Sequence, residues 1–89
     1  MNYSIIVLSS VTAAKRAEKM AERYGISCTT SHTPKVISQY GCSHCIKVKP
    51  QYTQNVVDIC RELQLDVKGV FTEIRNGDFV DYEEVRGYQ

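Results

Sequence analysis

Apolar residues run almost without alternation from Tyr3 to Ser9 (Y-S-I-I-V-L-S), the pattern of a strand covered on both faces. Ala13, Ala17, Met20, Ala21 and Tyr24 then recur at helical spacing. Ser10 or Thr12 fits the N-cap of that helix and Gly25 its C-cap. Ile26 to about Thr33, rich in Thr and Ser, reads as a second strand; Pro34 marks a break or an edge position, and Val36-Ile37 can continue it. After a loop at Ser38–Ser43, His44 to Lys49 alternates, with Ile46 and Val48 on one face. Pro50 suits the start of a second helix, whose stripe is Val56, Val57, Cys60 and Leu63 and which ends near Leu65. Val67 to Arg75 forms a fourth strand, and Asn76-Gly77 is a two-residue hairpin signal leading to a short fifth strand, Asp78–Tyr82.

The order βαββαβ predicts an α+β, ferredoxin-like fold: two helices of about four turns on one face of an antiparallel sheet, with a C-terminal hairpin strand added. The expected organisation is a single ferredoxin-like domain over residues 1–82 and a frayed acidic tail over 83–89. Helices on one side leave the other side of the sheet open, yet the first strand is apolar on both faces. That surface needs a cover, and a homodimer through it is one expectation.

Composition adds little: 89 residues, 43% hydrophobic and 24% charged, make an ordinary globular chain with a formal charge of +1. No global field draws it to nucleic acid or membrane. The early apolar run lacks a basic leader and is too short to span a bilayer, so the expected compartment is the cytoplasm, where thiols stay reduced. The distribution of charge says more. From Arg23 to Val57 there is no Asp or Glu, while Arg23, Lys35, Lys47, Lys49, His32 and His44 all fall there. Such a segment either favours thiolates or merely solvates a strand edge.

Within it lies Y-G-C-S-H-C-I, which places Cys42 and Cys45 at CxxC spacing behind Gly41. A thioredoxin-like CxxC opens a helix, whose amides lower the thiol pKa; here a strand follows instead. Heavy-metal-binding ferredoxin-like domains carry CxxC after the first strand, where this chain reads Ser9-Ser10-Val11-Thr12. Structural zinc needs about four ligands. Cys42, Cys45, His44 and His32 are the candidates, with Cys28 a further thiol on the same strand as His32 or a second copy of the chain completing the set. Cys60, on the helix stripe, and Cys28 read as packing residues. His44 stands between the two thiols and can affect their ionisation. Gly41 permits a positive φ or a close approach to Cys42. RNA-recognition modules share the element order but need aromatics on the central strands, where this chain has Cys-Ile-Lys-Val-Lys. There is no Gly-rich phosphate loop.

The elements S-I-I-V-L-S-S, an Ala-rich helix with R-A-E-K, G-I, H-T-P-K-V-I-S, G-C and V-K-G-V-F follow one another between Tyr3 and Ile74. In that order and spacing they resemble the putative selenium/sulfur carrier protein-like family, short bacterial domains sometimes fused to sulfur-relay modules. The resemblance implies a cysteine after the Thr-Pro-basic and Ile-Ser elements that holds sulfur or selenium as a persulfide-type adduct. Here Pro34 and Lys35 belong to those elements and Cys42 is the matching thiol. The chain departs from the family pattern in placing Gly41 before Cys42 rather than a glycine after it, and in adding Cys45, which would resolve or release the carried atom by thiol exchange.

The expected function is therefore a sulfur or selenium carrier or thiol-relay accessory protein. It would be a carrier rather than an enzyme, without a cofactor, working between donor and acceptor proteins and touching neither nucleic acid nor membrane. Two rivals remain open: a zinc module through the CxxC, and a regulatory or interaction domain using the open sheet face.

Overall fold

The structure is a computed structural model and describes residues 3–37 and 44–85. Its elements are β1 (Tyr3–Leu8), α1 (Val11–Arg23), β2 (Cys28–His32), β3 (His44–Val48), a 3-10 turn (Pro50–Tyr52), α2 (Thr53–Glu62), β4 (Val67–Asn76) and β5 (Phe79–Glu84). The five strands form one sheet in the order β2-β3-β1-β4-β5, and every pairing is antiparallel.

Strand alternation divides the side chains between two faces. On one, Ile6, Leu8, Ile46, Val48 and Val70 meet the apolar stripes of both helices. Helix α1 contributes only alanines to the fully buried set, Ala14, Ala17 and Ala21, so its backbone can come close to the sheet. Helix α2 contributes Val56, Val57, Ile59 and Cys60. Each large aliphatic side chain buried in this way contributes about 1.5–3 kcal/mol. The other face carries Ile5, Val7 and Cys45, packed against Ile37, Phe71 and Tyr82 of the same chain. Ile5 and Cys45 are fully buried without any second copy, so the cover that the sequence pattern demanded comes partly from within the chain.

Several boundaries differ from expectation for identifiable reasons. Ser10, not Thr12, caps α1, its hydroxyl accepting from the Ala13 amide at 3.2 Å. Strand β2 begins at Cys28 rather than Ile26, because the Ile26 amide donates to Ala21 O at 3.0 Å and closes the helix end around Gly25, whose φ is +77°. Val36-Ile37 does not extend β2: the Ile37 amide donates back to Pro34 O and closes a turn. Helix α2 is ten residues, under the four turns expected. Its first turn is 3-10, and the Thr53 hydroxyl donates to Pro50 O at 2.8 Å while also bonding Ser4 on β1. The hairpin loop is Gly77-Asp78, one residue later than the Asn76-Gly77 expected, since Asn76 pairs with Phe79. Gly77 has φ +61°, and a positive φ at the first loop residue is what a type II′ turn requires. Order also runs past Tyr82: β5 reaches Glu84, and Val85 donates its amide to Val70 O at 2.8 Å and packs on the helix-side core. None of the helices among the described residues is long and apolar enough to cross a membrane.

Candidate functional site

Gly41 and Cys42 lie outside the described residues. Cys45 lies inside them, on β3, where it pairs in register with Ser31 of β2 and Val7 of β1. Its side chain belongs to the face away from the helices and is fully buried. Cys45 Sγ is 3.5 Å from Ser31 Oγ, and its thiol donates to His32 O at 3.7 Å. Strand alternation puts Ser31 on this face, and Thr33 stands just past the end of β2. Thr33 is nine-tenths buried, and its hydroxyl oxygen has no hydrogen-bond partner among the described residues. It is nonetheless close enough to Sγ to favour a thiolate there.

Burial pushes the Cys45 thiol above its ordinary pKa; the Ser31 hydroxyl, the Lys47 charge and the Thr33 hydroxyl pull it down without reversing the shift. At Cys45, then, the first of the two readings of the acid-free segment, that it favours thiolates, does not hold. The segment is acid-free along the chain but not in space. Glu73 of β4, 1% exposed, takes Lys47 Nζ at 3.1 Å and Arg75 Nε at 3.1 Å. Burial alone would raise the Glu73 carboxyl, but hydrogen bonds from Lys47 and Arg75, with their charges, bring it below its ordinary value. The same Glu73 charge opposes ionisation of Cys45. Likewise Glu18 of α1 accepts from the Thr30 hydroxyl and, with Glu22, adds to the burial that raises Cys28 to about 11.

The two histidines come together. His32 and His44 pair across β2 and β3, with ring centroids 4.8 Å apart and planes at 39°. Neighbouring positions on a strand point to opposite faces, so His44 and Cys45 do not converge. Cys28 and His32 do share a face, Cys28 packing against the helix-side core. Among the described residues no three His, Cys, Asp or Glu side chains gather as a metal site needs. Pro34 and Lys35 occupy the turn after β2, Pro34 supplying the carbonyl that closes it and Lys35 exposed. Cys60 is buried on α2, as its stripe position implies, and burial raises its thiol to about 11.

Ser31 and Thr33 are the residues that sequence reasoning missed. Their signal was alternation: Thr29, Ser31 and Thr33 repeat a hydroxyl every second residue. What no pattern gives is the register that sets Ser31 opposite Cys45. Among the described residues, one open cleft is lined by Tyr24, Tyr52, Asp58 and Glu62 and another by Tyr3, Thr29, Lys47 and Lys49; neither is lined by Cys45.

No curated protein matches this chain. The family described as "Putative Se/S carrier protein-like" matches residues 2–72, a span running from β1 into β4 and including the whole Cys42–Cys45 segment, and the chain belongs to that family.

Proposed function

We propose that this protein carries sulfur or selenium between partner proteins, accepting the atom on Cys42 and using Cys45 as the resolving thiol. The observation that carries the reading is family membership over residues 2–72, in a chain where the second cysteine of a CxxC lies on a strand. The strand order β2-β3-β1-β4, with β5 added at the edge, supports the ferredoxin-like arrangement inferred from βαββαβ. In that arrangement β3 is an interior strand, a rigid anchor for one thiol of the pair. The chemistry needs no cofactor. A donor protein's persulfide passes its outer sulfur to the Cys42 thiolate, giving a Cys42 persulfide and the donor thiol. Attack by Cys45 on the inner sulfur then forms a Cys42–Cys45 disulfide and expels the carried atom as hydrosulfide or hydroselenide toward an acceptor. A thiol reductant resets the pair. The protein is thus a carrier in a reducing cytoplasm rather than an enzyme that works alone.

Intact-mass measurement after incubation with a cysteine desulfurase and cysteine tests this. The wild type gains about 32 mass units, removable by reductant, as a persulfide does; Cys42→Ser loses most of that gain. If Cys42→Ser accepts sulfur as well as the wild type, Cys42 is not the acceptor.

A further inference from the structure

A buried hydroxyl without a partner calls for an explanation, because leaving it unbonded costs about 1–3 kcal/mol. Thr33 Oγ1 is such a group among the described residues, and its hydroxyl favours the thiolate of Cys45. The surroundings of that sulfur divide by role. His32 O can only accept, and it takes the thiol proton. Ser31 Oγ at 3.5 Å and Thr33 Oγ1 can both donate. Remove the proton from the sulfur, and the carbonyl loses its bond, while the Ser31 hydroxyl can only donate to the sulfur and the unbonded Thr33 hydroxyl gains an acceptor. The site is therefore arranged for a second state in which the sulfur carries negative charge. A persulfide supplies that charge on an outer atom that projects beyond Sγ and accepts hydrogen bonds.

We infer that Cys45, with Ser31 and Thr33 as its hydroxyl donors, is itself a sulfur-holding site, where a sulfane sulfur or the equivalent selenium rests as a Cys45 persulfide anion sheltered by the sheet and by Ile37. The inference rests on the carrier reading and changes what Cys45 does within it: the atom is passed to Cys45 rather than expelled by it. The step balances without an added oxidant. The Cys45 thiolate attacks the outer sulfur of a donor persulfide; the Cys45 S–S bond forms, the donor's S–S bond breaks, and the donor leaves as a thiol carrying the proton that Cys45 gave up. Burial then serves the carrier. Full exclusion of Cys45 from water keeps thiols and oxidants from the adduct until the covering side chains of Ile37, Phe71 and Tyr82 part. Ser31 and Thr33 are positioning residues, since they act through the sulfur.

The test uses a small-molecule persulfide on the full chain, with peptide-level mass spectrometry. In Cys42→Ser, the peptide containing Cys45 gains about 32 mass units. Adding Thr33→Val lowers the amount retained about tenfold, the worth of one hydrogen bond to a charged atom, and moves its pH midpoint upward. Thr33→Ser in place of Val restores both, which a purely structural role for the threonine would not produce; matched thermal melts of the variants exclude unfolding. If Cys42→Ser takes up no sulfur at Cys45 while the wild type loads Cys42, this inference fails and the carrier reading stands. Equal retention in the Thr33→Val variant also overturns it. A wild type that takes sulfur on no cysteine overturns the carrier reading and this inference with it.

Discussion

The two faces of the sheet bury side chains by different means. Against the helices, Ile6, Leu8, Ile46, Val48 and Val70 meet alanines and valines in a nearly dry core, with Ser4 and Thr53 satisfying each other inside it. On the opposite face the buried apolar set among the described residues is Ile5, Val7 and Cys45, bordered by the buried Glu73 carboxylate held between two cations and covered by partly exposed Ile37, Phe71 and Tyr82. The first face is closed by elements whose burial stabilises them. The second is closed by single side chains, Phe71 of β4 and Tyr82 of the edge strand β5, and by one turn, a thinner cover than a helix. Cys45 is fully buried beneath that second cover.

The largest effect that would test this contrast is in packing. Ile6→Ala on the helix face is expected to cost about 4 kcal/mol and Ile5→Ala, whose cover can settle inward, about 2 kcal/mol, both read by urea denaturation. Equal losses would mean that the two faces are equally rigid.

Next comes the charged cluster. Lys47→Met leaves Glu73 buried with Arg75 alone and should cost about 2 kcal/mol, less than a fully buried pair because Lys47 is partly exposed. Adding Glu73→Leu should recover most of that loss. Arg75→Ala, at a mostly exposed side chain, should cost under about 1 kcal/mol. If the double variant is no more stable than Lys47→Met, the penalty does not come from an unpaired carboxylate.

The pH dependence follows from the same cluster. The Glu73 carboxyl is held below its ordinary value, so its contribution is complete above the unfolded carboxylate pKa of about 4.3. It is lost as pH falls through the depressed folded value. Glu73→Gln should therefore flatten the acid side of a plot of stability against pH, and an unchanged slope would assign the acid sensitivity elsewhere. The smallest effect concerns the ends of the helices. Helix α1 ends at Gly25 in the left-handed region, whereas α2 is followed by Gln64 with φ +58°. Gln64→Gly should raise stability by about 1 kcal/mol on thermal melting, and Gly25→Ala should lower it by a similar amount.

Much of this was legible along the chain. The helical spacing of Ala13, Ala17 and Ala21, the alternation through Ile46 and Val48, and the strand position of Cys45 all hold, because local periodicity reports which side of an element is apolar. The boundaries moved where a single hydrogen bond outweighed propensity: Ile26 to Ala21 O delayed β2, and Ile37 to Pro34 O ended the prospect of its extension. The environment of the candidate thiol was not legible. Lys47 looked like a free cation beside the CxxC until sheet pairing brought Glu73, 26 residues further along, into contact.

The sequence by itself determined the element order, the two apolar helix stripes, the strand that carries Cys45 and the family to which these belong, since each is written in spacing between near neighbours. Only the tertiary structure decided that Cys45 is buried on the face away from the helices, that Ser31 lies beside its sulfur, and that the neighbouring Lys47 is paired with Glu73. Those facts depend on strand register and on side chains brought together from distant parts of the chain. One residue of slip in β3 would turn Cys45 to the helix side, and no local pattern records which register the packed core selects.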